Sequence, residues 1–432
     1  MNQNAHPTIA FSEALAFWLK LGFISFGGPA GQIAIMHRVV VDEKKWVEEQ
    51  RFLHALNFCV LLPGPEAQKL ATYVGWLLHG VRGGLAAGIL FVLPGALVML
   101  ALSLAYALGR GIPVVEGALF GIKAAVLVIV VEAVLRIGRR ALKTRLLVGV
   151  AAAAFIGIFF LGLPFPLIVA AAALLGYATQ RAAQVPRVEP APGRWRHLVI
   201  ASLIGIALWW APVAAVLILL GPGHVLADIG LFFSKLAVVS FGGAYALLAY
   251  MAQQAVDSYH WMSAPEMVDG LGVAETTPGP LILVTQFVGF LAAYRDAAPF
   301  SPVAAGIIGS ALTTWVTFVP PMTLIFAGAP FVEQLRANQR LSGALAAVTA
   351  AVVGVILNLT VWFALHVLFG SVEEARLGPL RWYAFDPLAL DLKTAALAAL
   401  AAVLAFRLHR GLVELVLVMA ALGIALRFLL PG

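Results

Sequence analysis

Charged residues are scarce in this sequence, and their scarcity excludes most soluble folds. Lys and Arg together number 28 and Asp and Glu 21 among 432 residues, so charged residues make up 11% of the chain. An average globular domain carries about 25%. Hydrophobic residues reach 62%, and a soluble fold of that composition would expose large apolar patches to water. The composition therefore predicts an all-α polytopic membrane protein, with the lipid bilayer as its surroundings.

Cysteine and metal-binding patterns are also nearly missing. Cys59 is alone, which excludes an intramolecular disulfide and any site with several cysteine ligands. His37, His54 and His79 show no ligand spacing, so we predict no metal and no cofactor. No P-loop and no HExxH motif occurs. The net charge of +7 comes from short basic clusters between apolar runs, which indicates cytoplasmic loops rather than a surface for nucleic acid.

Apolar runs long enough to cross a bilayer follow one another along the chain, and no segment is predicted as a β-strand. A transmembrane helix needs about 20 predominantly apolar residues. The clear spans are Leu85–Leu108, Pro113–Leu135, Leu146–Leu163, Leu198–Leu220, Val303–Ala329, Leu341–Phe369 and Leu412–Leu430, and the shorter candidates are Pro166–Tyr177 and Leu392–Phe406.

The chain also repeats itself. An ungapped register that holds lysine, tryptophan and Pro-Gly-Pro together is not a chance match, so the sequence predicts two structural repeats. A shift of 215 positions aligns Lys20 with Lys235, Ser25-Phe26-Gly27-Gly28 with Ser240-Phe241-Gly242-Gly243, Trp46 with Trp261, and Pro63-Gly64-Pro65 with Pro278-Gly279-Pro280.

The distribution of basic residues predicts that the two repeats have opposite orientations. The loop Arg136–Arg145 holds five Lys/Arg and no acid, which favours the cytoplasm. The polar linker Gln180–His197 is also basic and is therefore predicted to be cytoplasmic. The span Leu198–Leu220 that follows it would then start the second repeat on the opposite side of the membrane from the first. Such inverted repeats occur in many secondary transporters. The predicted domains are residues 1–179 (first repeat plus two spans), 180–197 (cytoplasmic linker), 198–370 (a span and the second repeat) and 371–432 (a helical hairpin).

Glycine and proline interrupt four apolar segments at positions that correspond between the repeats. The breaks are Gly27-Gly28, Gly242-Gly243, Pro63-Gly64-Pro65 and Pro278-Gly279-Pro280. An interrupted helix at membrane depth leaves N–H and C=O groups unpaired, which is tolerated beside protein or a water-filled cavity. The N–H groups that start a half-helix also form an anion site. Pro65 and Pro280 suit the first helical position; kinks used only for packing are the alternative.

Ionisable residues accompany these breaks. Lys20 and Lys235 occupy equivalent places inside apolar segments, where a charge costs at least ~2.5 kcal/mol. They either serve the site or extend to the membrane interface. Glu66 and Lys69 share a helical face; they form a structural pair, or Lys69 meets an anion while Glu66 takes a proton. Glu275 is expected to be the one buried acid of the second half.

The predicted site residues all lie at or near a break. Glu66 and Glu275 are the proton-coupling candidates. Lys123 and Glu132 within Pro113–Leu135 are weaker candidates, with pairing inside the bundle as the alternative. The predicted anion-binding residues are Lys20, Ser25, Gly27, Gly28, Gly64, Glu66, Gln68, Lys69, Lys235, Ser240, Gly242, Gly243, Thr276, Thr277 and Gly279.

These motifs resemble a known family. Phe17–Met36 and Leu61–Gly95 are similar to the first-half signatures of the chromate ion transporter family, and Ser234–Leu248 and Glu275–Phe290 to its second-half signatures. The resemblance covers most of the chain and matches the long, two-domain form. It implies export of chromate across the cytoplasmic membrane and chromate resistance, with sulfate as a related or competing substrate. A homodimer is one option for its assembly.

Three functions remain in competition at this point. A secondary transporter that works by alternating access would hold a tetrahedral dianion with N–H, hydroxyl and ammonium donors. An anion channel would use the same donors without coupling. An intramembrane enzyme would need a nucleophile with a base, or a metal set, and the sequence offers neither. We therefore expect a transporter and not an enzyme.

Overall fold

The computed structural model describes residues 9–26, 28–109, 111–179, 194–241, 244–329 and 339–429. Gly27, Gly242, Gly243 and residues 180–193 of the predicted linker lie outside the described residues, so the expectations placed on them stay predictions. The helices are α1 Phe11–Ile24, α2 Gly28–His37, α3 Glu49–Leu61, α4 Glu66–Leu108, α5 Pro113–Ala141, α6 Arg145–Phe159, α7 Phe165–Thr179, α8 Arg194–Leu219, α9 Val225–Val239, α10 Ala244–Gln253, α11 Ala264–Thr276, α12 Val284–Arg295, α13 Pro302–Gly328, α14 Gln339–Leu368, α15 Leu392–Ala402 and α16 Leu412–Leu429.

Six of the seven clear spans predicted from the sequence correspond to long apolar helices, whereas Leu146–Leu163 corresponds to α6, which is shorter than a span requires. In the part of the chain that the structure describes, six helices are long and apolar enough to cross a membrane: α4, α5, α8, α13, α14 and α16. The helices α6 and α7, and the segment Leu281–Arg295 that includes α12, are apolar but shorter. The expectation of an all-α polytopic membrane protein is confirmed.

The expectation that no segment forms a strand is wrong for one short region. Strands β1 (Val372–Leu377) and β2 (Leu380–Phe385) pair antiparallel. Two residues lie between the strands, and the first of them, Gly378, has a φ of 59°, which suits the tight turn of a two-residue hairpin loop. Charged residues interrupt the apolar pattern here, and this hid the hairpin from a search for long apolar runs. The region predicted as a C-terminal helical hairpin thus contains this β-hairpin before α15 and α16.

In the part of the chain that the structure describes, a helix ends close to each predicted interruption. At the Gly-Gly positions, α1 ends at Ile24 and α2 begins at Gly28, and α9 ends at Val239 and α10 begins at Ala244. The Pro-Gly-Pro motifs separate α3 from α4, and α11 from a 3-10 turn, Leu281–Leu283, that leads into α12. One detail of the prediction is wrong. Pro65 and Pro280 lie one residue before the helical segments, which start at Glu66 and Leu281, rather than at the first helical position.

Local structure repeats with the same offset as the sequence. The bounds of α3 and α11 differ by 215 positions at both ends, and α2 and α10 each continue into a short π-helical segment, Arg38–Glu43 and Gln254–Ser258. Lys45 and His260, also equivalent, both have positive φ angles, 51° and 53°. The two repeats therefore share backbone conformation down to single residues. Their relative orientation stays a prediction.

The chain forms two compact units, and each draws on both halves of the sequence. Unit 1 comprises Met1–Leu100, Ala182–Gly243 and Thr277–Gln339, and unit 2 comprises Ala101–Arg181, Ala244–Thr276 and Arg340–Gly432. The division into compact units is therefore different from the division into repeats.

Close helix contacts in unit 1 depend on glycine. The backbone of α4 departs from helical angles at His79 and Gly80. Gly75 and Gly83, on either side of that point, pack so tightly that a methyl group on either would overlap the other's backbone. Gly289 of α12 and Gly309 of α13 make the corresponding contact in the second repeat. Small residues at such positions let helices approach closely inside a membrane.

Candidate functional site

The Pro-Gly-Pro break of each repeat is hydrogen-bonded to the serine that precedes the Gly-Gly break of the other repeat. The Gly64 N–H donates a hydrogen bond to the Ser240 carbonyl oxygen at 2.9 Å, and the Gly279 N–H donates to the Ser25 carbonyl oxygen at 2.8 Å. All four residues belong to unit 1. The two hydrogen bonds are equivalent: a shift of 215 positions turns Gly64 into Gly279 and Ser25 into Ser240. The sequence pattern thus marks four positions that the fold joins in two pairs.

The backbone at these breaks requires glycine. Gly64 has a φ of 104° and Gly279 a φ of 88°, a left-handed region that costs residues with a side chain 1–2 kcal/mol or more. A Cβ atom on Gly64 would also overlap the ring of Pro321 on α13. The conformation that turns each N–H toward a serine carbonyl is therefore available to these two glycines and not to larger residues.

Gln32 binds across the first break and was missed by the sequence analysis. It is 1% exposed, and its Nε2 donates to the Gly279 carbonyl oxygen at 2.6 Å, with a longer contact of 3.4 Å to the Ser25 carbonyl. The equivalent residue of the second repeat is Leu247, so the amide serves one break only. A glutamine within the apolar run after Gly28 was the available signal.

Lys69 is the principal buried cation of the site. It is 1% exposed in the first turn of α4, and its ammonium donates a short hydrogen bond to the Leu62 carbonyl oxygen at the end of α3. An ammonium group has three donors, so two remain for other acceptors. Glu66 is half-buried one turn away, and among the described residues it forms no ion pair with Lys69. The structural Glu66–Lys69 pair, one of the two alternatives, is not formed.

Two further polar side chains near the breaks keep unused hydrogen-bonding capacity. Gln68 is completely buried, and neither its amide oxygen nor its amide nitrogen is bonded to another described residue. The same is true of the Ser25 hydroxyl oxygen. Most buried polar side-chain atoms in proteins have a partner. These groups can therefore bind a polar ligand, and they were among the residues predicted to do so.

The predicted hydroxyl donors of the second repeat are bonded locally. The Ser240 hydroxyl donates to the Ala237 carbonyl at 2.8 Å, and the Thr276 hydroxyl to the Val273 carbonyl at 2.7 Å. Thr277 of the second repeat is buried. Gly28, the predicted anion-binding glycine of the first repeat, is half-buried and has a φ of 74°. Among the predicted hydroxyl donors, the Ser25 hydroxyl of the first repeat is therefore the one with no bond to another described residue.

Lys20 and Lys235 lie on exposed faces of α1 and α9. The structure does not bring them into the buried group around Lys69. Exposed side chains are expected if these lysines extend to the membrane interface. A ligand role for the two lysines stays a prediction.

The description of Glu275 as the only buried acid of the second half is wrong. Glu275 is 6% exposed, but Glu266 and Asp269, also on α11, are each 5% exposed. All three acids lie on α11, which is buried along most of its length. Lys123 Nζ lies 3.2 Å from Asp269 Oδ1. The alternative that Lys123 pairs inside the bundle is confirmed.

The fold also brings together a histidine and two acidic residues that no spacing in the sequence indicates. The two ring nitrogens of His37 lie 3.4 Å from Asp42 Oδ2 and 2.7 Å from Glu49 Oε2. The three side chains are close enough to hold an ion. Because the two nitrogens face different carboxylates, the arrangement is that of a histidine bridging two acids.

The apolar helices and their paired breaks define the class of this protein as a multi-pass helical membrane protein. The family model described as Chromate transporter matches residues 12–177 and 227–426, so the chain belongs to the chromate transporter family. The prediction of the family from the sequence is confirmed. Because its members are transporters, the prediction of a transporter rather than an enzyme is confirmed as well.

Relatives align over most of the chain. It is 33% identical over 359 residues to the chromate transport protein of Pseudomonas aeruginosa, in an alignment that covers 81% of this chain and 80% of the relative. A probable chromate transport protein of Synechococcus elongatus is 28% identical, with 83% and 86% covered. The chromate transport protein of Cupriavidus metallidurans is 27% identical, with 81% and 82% covered. No solved structure matches the chain.

Proposed function

We propose that this protein is a secondary transporter that exports chromate across the cytoplasmic membrane. The relatives named above are chromate transport proteins, and chromate is a tetrahedral dianion with four acceptor oxygens. The anion binds at the start of α4, where Lys69 supplies the charge and Gln68, Ser25 and the backbone N–H groups supply further donors. Charge-assisted hydrogen bonds to an anion are about twice as strong as neutral ones.

The observation that carries this proposal is the burial of Lys69 at the positive end of a helix. The first N–H groups of a helix lack intrahelical partners and carry a partial positive charge. An ammonium group there is disfavoured twice, by the loss of water and by the helix dipole. The Leu62 carbonyl, to which the ammonium donates a hydrogen bond, is neutral. A dianion bound between the ammonium and the helix start removes both penalties.

The proposal includes alternating access between two inverted repeats. Support comes from the reciprocal Gly64–Ser240 and Gly279–Ser25 hydrogen bonds, because a two-fold operation that exchanges the repeats would map one bond onto the other. Rocking of one repeat against the other around such a centre would expose the anion to each side in turn. Glu66, half-buried one turn from Lys69, is the residue of this site that can exchange a proton with the transported anion.

The test is flux of labelled chromate into liposomes that contain the purified protein. We expect Lys69→Met to lower the initial rate about 10- to 100-fold, which corresponds to the loss of a charge-assisted bond of about 1.5–3 kcal/mol. The matched control is Lys143→Met, which removes an exposed lysine of the loop between α5 and α6. An unchanged rate in Lys69→Met would contradict the assignment of the anion site.

The same assay examines the remaining parts of the proposal. Lys20→Ala and Lys235→Ala test whether the two exposed lysines are ligands; if they are, each variant loses flux as Lys69→Met does. Labelled sulfate added as a competitor or as the substrate measures selectivity. Flux that is the same with and without a pH gradient would identify an uncoupled anion channel instead of a transporter.

A further inference from the structure

A group of ionisable side chains in unit 2 lies outside the candidate anion site. Asp269 of α11 is buried, and its two carboxylate oxygens have different partners. Lys123 Nζ of α5 lies 3.2 Å from Oδ1, and the hydroxyl of Tyr106, near the end of α4, donates to Oδ2 at 2.9 Å. None of the three residues stands at a break in a helix. The proposed binding of the anion therefore does not account for them.

A cavity of about 380 Å³ borders these three side chains. On α5 it is lined by Glu116, Leu119, Phe120 and Lys123, which share one helical face. Glu116, in the first turn of α5, pairs with Arg427 of α16. At 1.5 Å per residue, Lys123 lies about 10 Å further along α5 than Glu116. The cavity thus extends along α5 from an ion pair at the helix start to the pair that contains Asp269.

Exposure falls steadily along this cavity. The side chains of Arg427 and Glu116 are 49% and 39% exposed, that of Lys123 is 27% exposed, and that of Asp269 is 7% exposed. Water and protons that enter at the start of α5 therefore reach the Asp269 carboxylate through this cavity. The basic loop at the other end of α5 is the predicted cytoplasmic one, so this entrance faces the opposite side of the membrane.

Stability alone does not explain a buried ion pair. Replacement of such a pair by well-packed apolar residues is often neutral or stabilising, because the desolvation of two charges offsets their attraction. Ionisable residues inside membrane segments usually serve ion pathways or proton relays. The second repeat has Thr349 at the Lys123 position, and the first repeat has His54 at the Asp269 position. The Lys123–Asp269 pair therefore has no counterpart related by the repeat and is not a repeated packing feature.

We propose that Asp269 is a proton-binding site that couples proton entry to anion export, with Lys123 as its ion-pair partner and Tyr106 as a positioning residue. This inference rests on the proposed transport function. A proton that arrives through the cavity binds Asp269 Oδ1, the ion pair with Lys123 is lost, and the hydrogen bond from Tyr106 to Oδ2 remains. Lys123, which borders the cavity, is then left to face water and Glu116.

The segment that carries Asp269 makes it suitable for coupling. Along the chain, α11 runs directly into the Pro278-Gly279-Pro280 break, whose Gly279 N–H binds the Ser25 carbonyl. A change of charge on α11 therefore acts on the element that leads to one of the breaks. Besides the residues already named, the charged groups of the elements packed against Asp269 are Glu266 and Glu275 on α11, Glu132, Arg136, Arg139 and Arg140 on α5, and Glu414 on α16, which pairs with Arg410.

Two flux assays on the full chain in liposomes test the proposal. Exchange of labelled chromate, with equal chromate and equal pH on both sides, needs no proton coupling, whereas uptake against a chromate gradient driven by a pH difference does. We expect Asp269→Asn to keep exchange within two-fold of the unaltered protein and to lose at least 10-fold of the driven uptake. Glu266→Gln, a change to another buried acid of α11, is the matched control and should keep both activities.

Two results in these assays would overturn the proposal. Driven uptake that survives in Asp269→Asn shows that the carboxylate is not the coupling group. Loss of exchange together with driven uptake shows a structural or anion-binding role instead. Tyr106→Phe covers the case in which Asp269→Asn does not fold: removal of a donor that stabilises the carboxylate should shift the midpoint of the pH profile of driven uptake to higher pH. An unshifted profile argues against the site.

A third measurement does not depend on chromate and separates this inference from the proposed function. The purified protein in detergent is acidified in a pH jump, and a pH indicator dye counts the protons taken up. The unaltered protein should take up about one proton more per chain than Asp269→Asn. Equal proton uptake overturns the proposal even if chromate is transported, and absence of chromate exchange in the unaltered protein overturns the proposed function instead.

Discussion

The two Pro-Gly-Pro motifs are identical in sequence but differ in the chemistry of the residues that follow them. Gln68 and Lys69 follow the first motif, and the equivalent residues after the second are Leu283 and Val284. Both motifs use a glycine in the left-handed region to bond a serine carbonyl of the other repeat. The backbone geometry is therefore shared by the repeats, and the charge is supplied by the first repeat alone.

Substitution of the break glycines should destabilise the protein. Gly64→Ala places a Cβ atom in the left-handed region and against Pro321, so we expect a loss of about 2 kcal/mol or more in stability. Thermal unfolding in detergent measures it. The matched control is Gly149→Ala in α6, where a Cβ atom meets nothing within 4 Å and helix propensity favours alanine by up to about 1 kcal/mol. Equal unfolding temperatures in the two variants would contradict the strain argument.

At the scale of elements, the β-hairpin closes the end of α6. Arg381 of β2 is 5% exposed, and its guanidinium donates to the carbonyl oxygens of Ile158 at 2.6 Å and Phe159 at 3.2 Å. The Arg381 N–H donates to the Phe160 carbonyl at 2.7 Å. The last carbonyls of a helix have no intrahelical partner. A strand residue thus satisfies the last carbonyl groups of the apolar helix α6, which explains why a short hairpin occurs in an otherwise helical chain.

The hairpin also predicts a loss of stability in alkali. Burial, opposed by the nearby Arg381 charge, raises the pKa of Tyr383 from its ordinary value of 10.0 to about 12. The unfolded chain therefore ionises this phenol at a lower pH than the folded protein does. The stability that the neutral phenol contributes is present below pH 10 and is lost as the pH rises toward 12.

Tyr383→Phe removes that ionisation. We expect the unfolding temperature of the variant to fall less between pH 9 and pH 11 than that of the unaltered protein, measured by scanning fluorimetry in detergent. Tyr177→Phe, at an exposed tyrosine of α7, is the control and should follow the unaltered protein. Parallel pH profiles for Tyr383→Phe and the unaltered protein would contradict a raised pKa of this half-buried phenol.

At the scale of the whole molecule, the compact units cross the boundary between the repeats. Unit 1 takes α1 to α3 and part of α4 from the first half and α8, α9, α12 and α13 from the second, and unit 2 is likewise mixed. Neither half of the sequence contains a complete unit. The two halves should therefore depend on one another for folding.

A split of the chain within residues 180–193 tests this dependence. We expect residues 1–187 and 188–432, expressed together with a tag on one of them, to copurify after membrane extraction, and each fragment expressed alone to aggregate or be degraded. Size-exclusion chromatography of the extracted protein reads the result. A first-half fragment that elutes alone as a stable, monodisperse species would show that the repeats fold independently.

The sequence by itself determined the membrane helices, the four breaks and the 215-residue register. These depend on local properties: apolar length sets the spans, and proline and glycine end a helix wherever they occur. The same locality explains why the candidate residues include the buried Ser25 and Lys69, since both lie next to a break. It also explains the missed hairpin, whose short strands have no long apolar run to mark them.

Only the tertiary structure decided which distant groups meet. Gln32 contacts Gly279, Asp269 contacts Lys123 and Tyr106, and Arg381 contacts the end of α6. In each case the fold brings together residues that are far apart in sequence. Whether a lysine is enclosed, as Lys69 is, or exposed, as Lys20 is, depends on which face of its helix is covered. A linear sequence records the charge of a side chain, but burial and pairing arise when neighbouring helices cover that side chain.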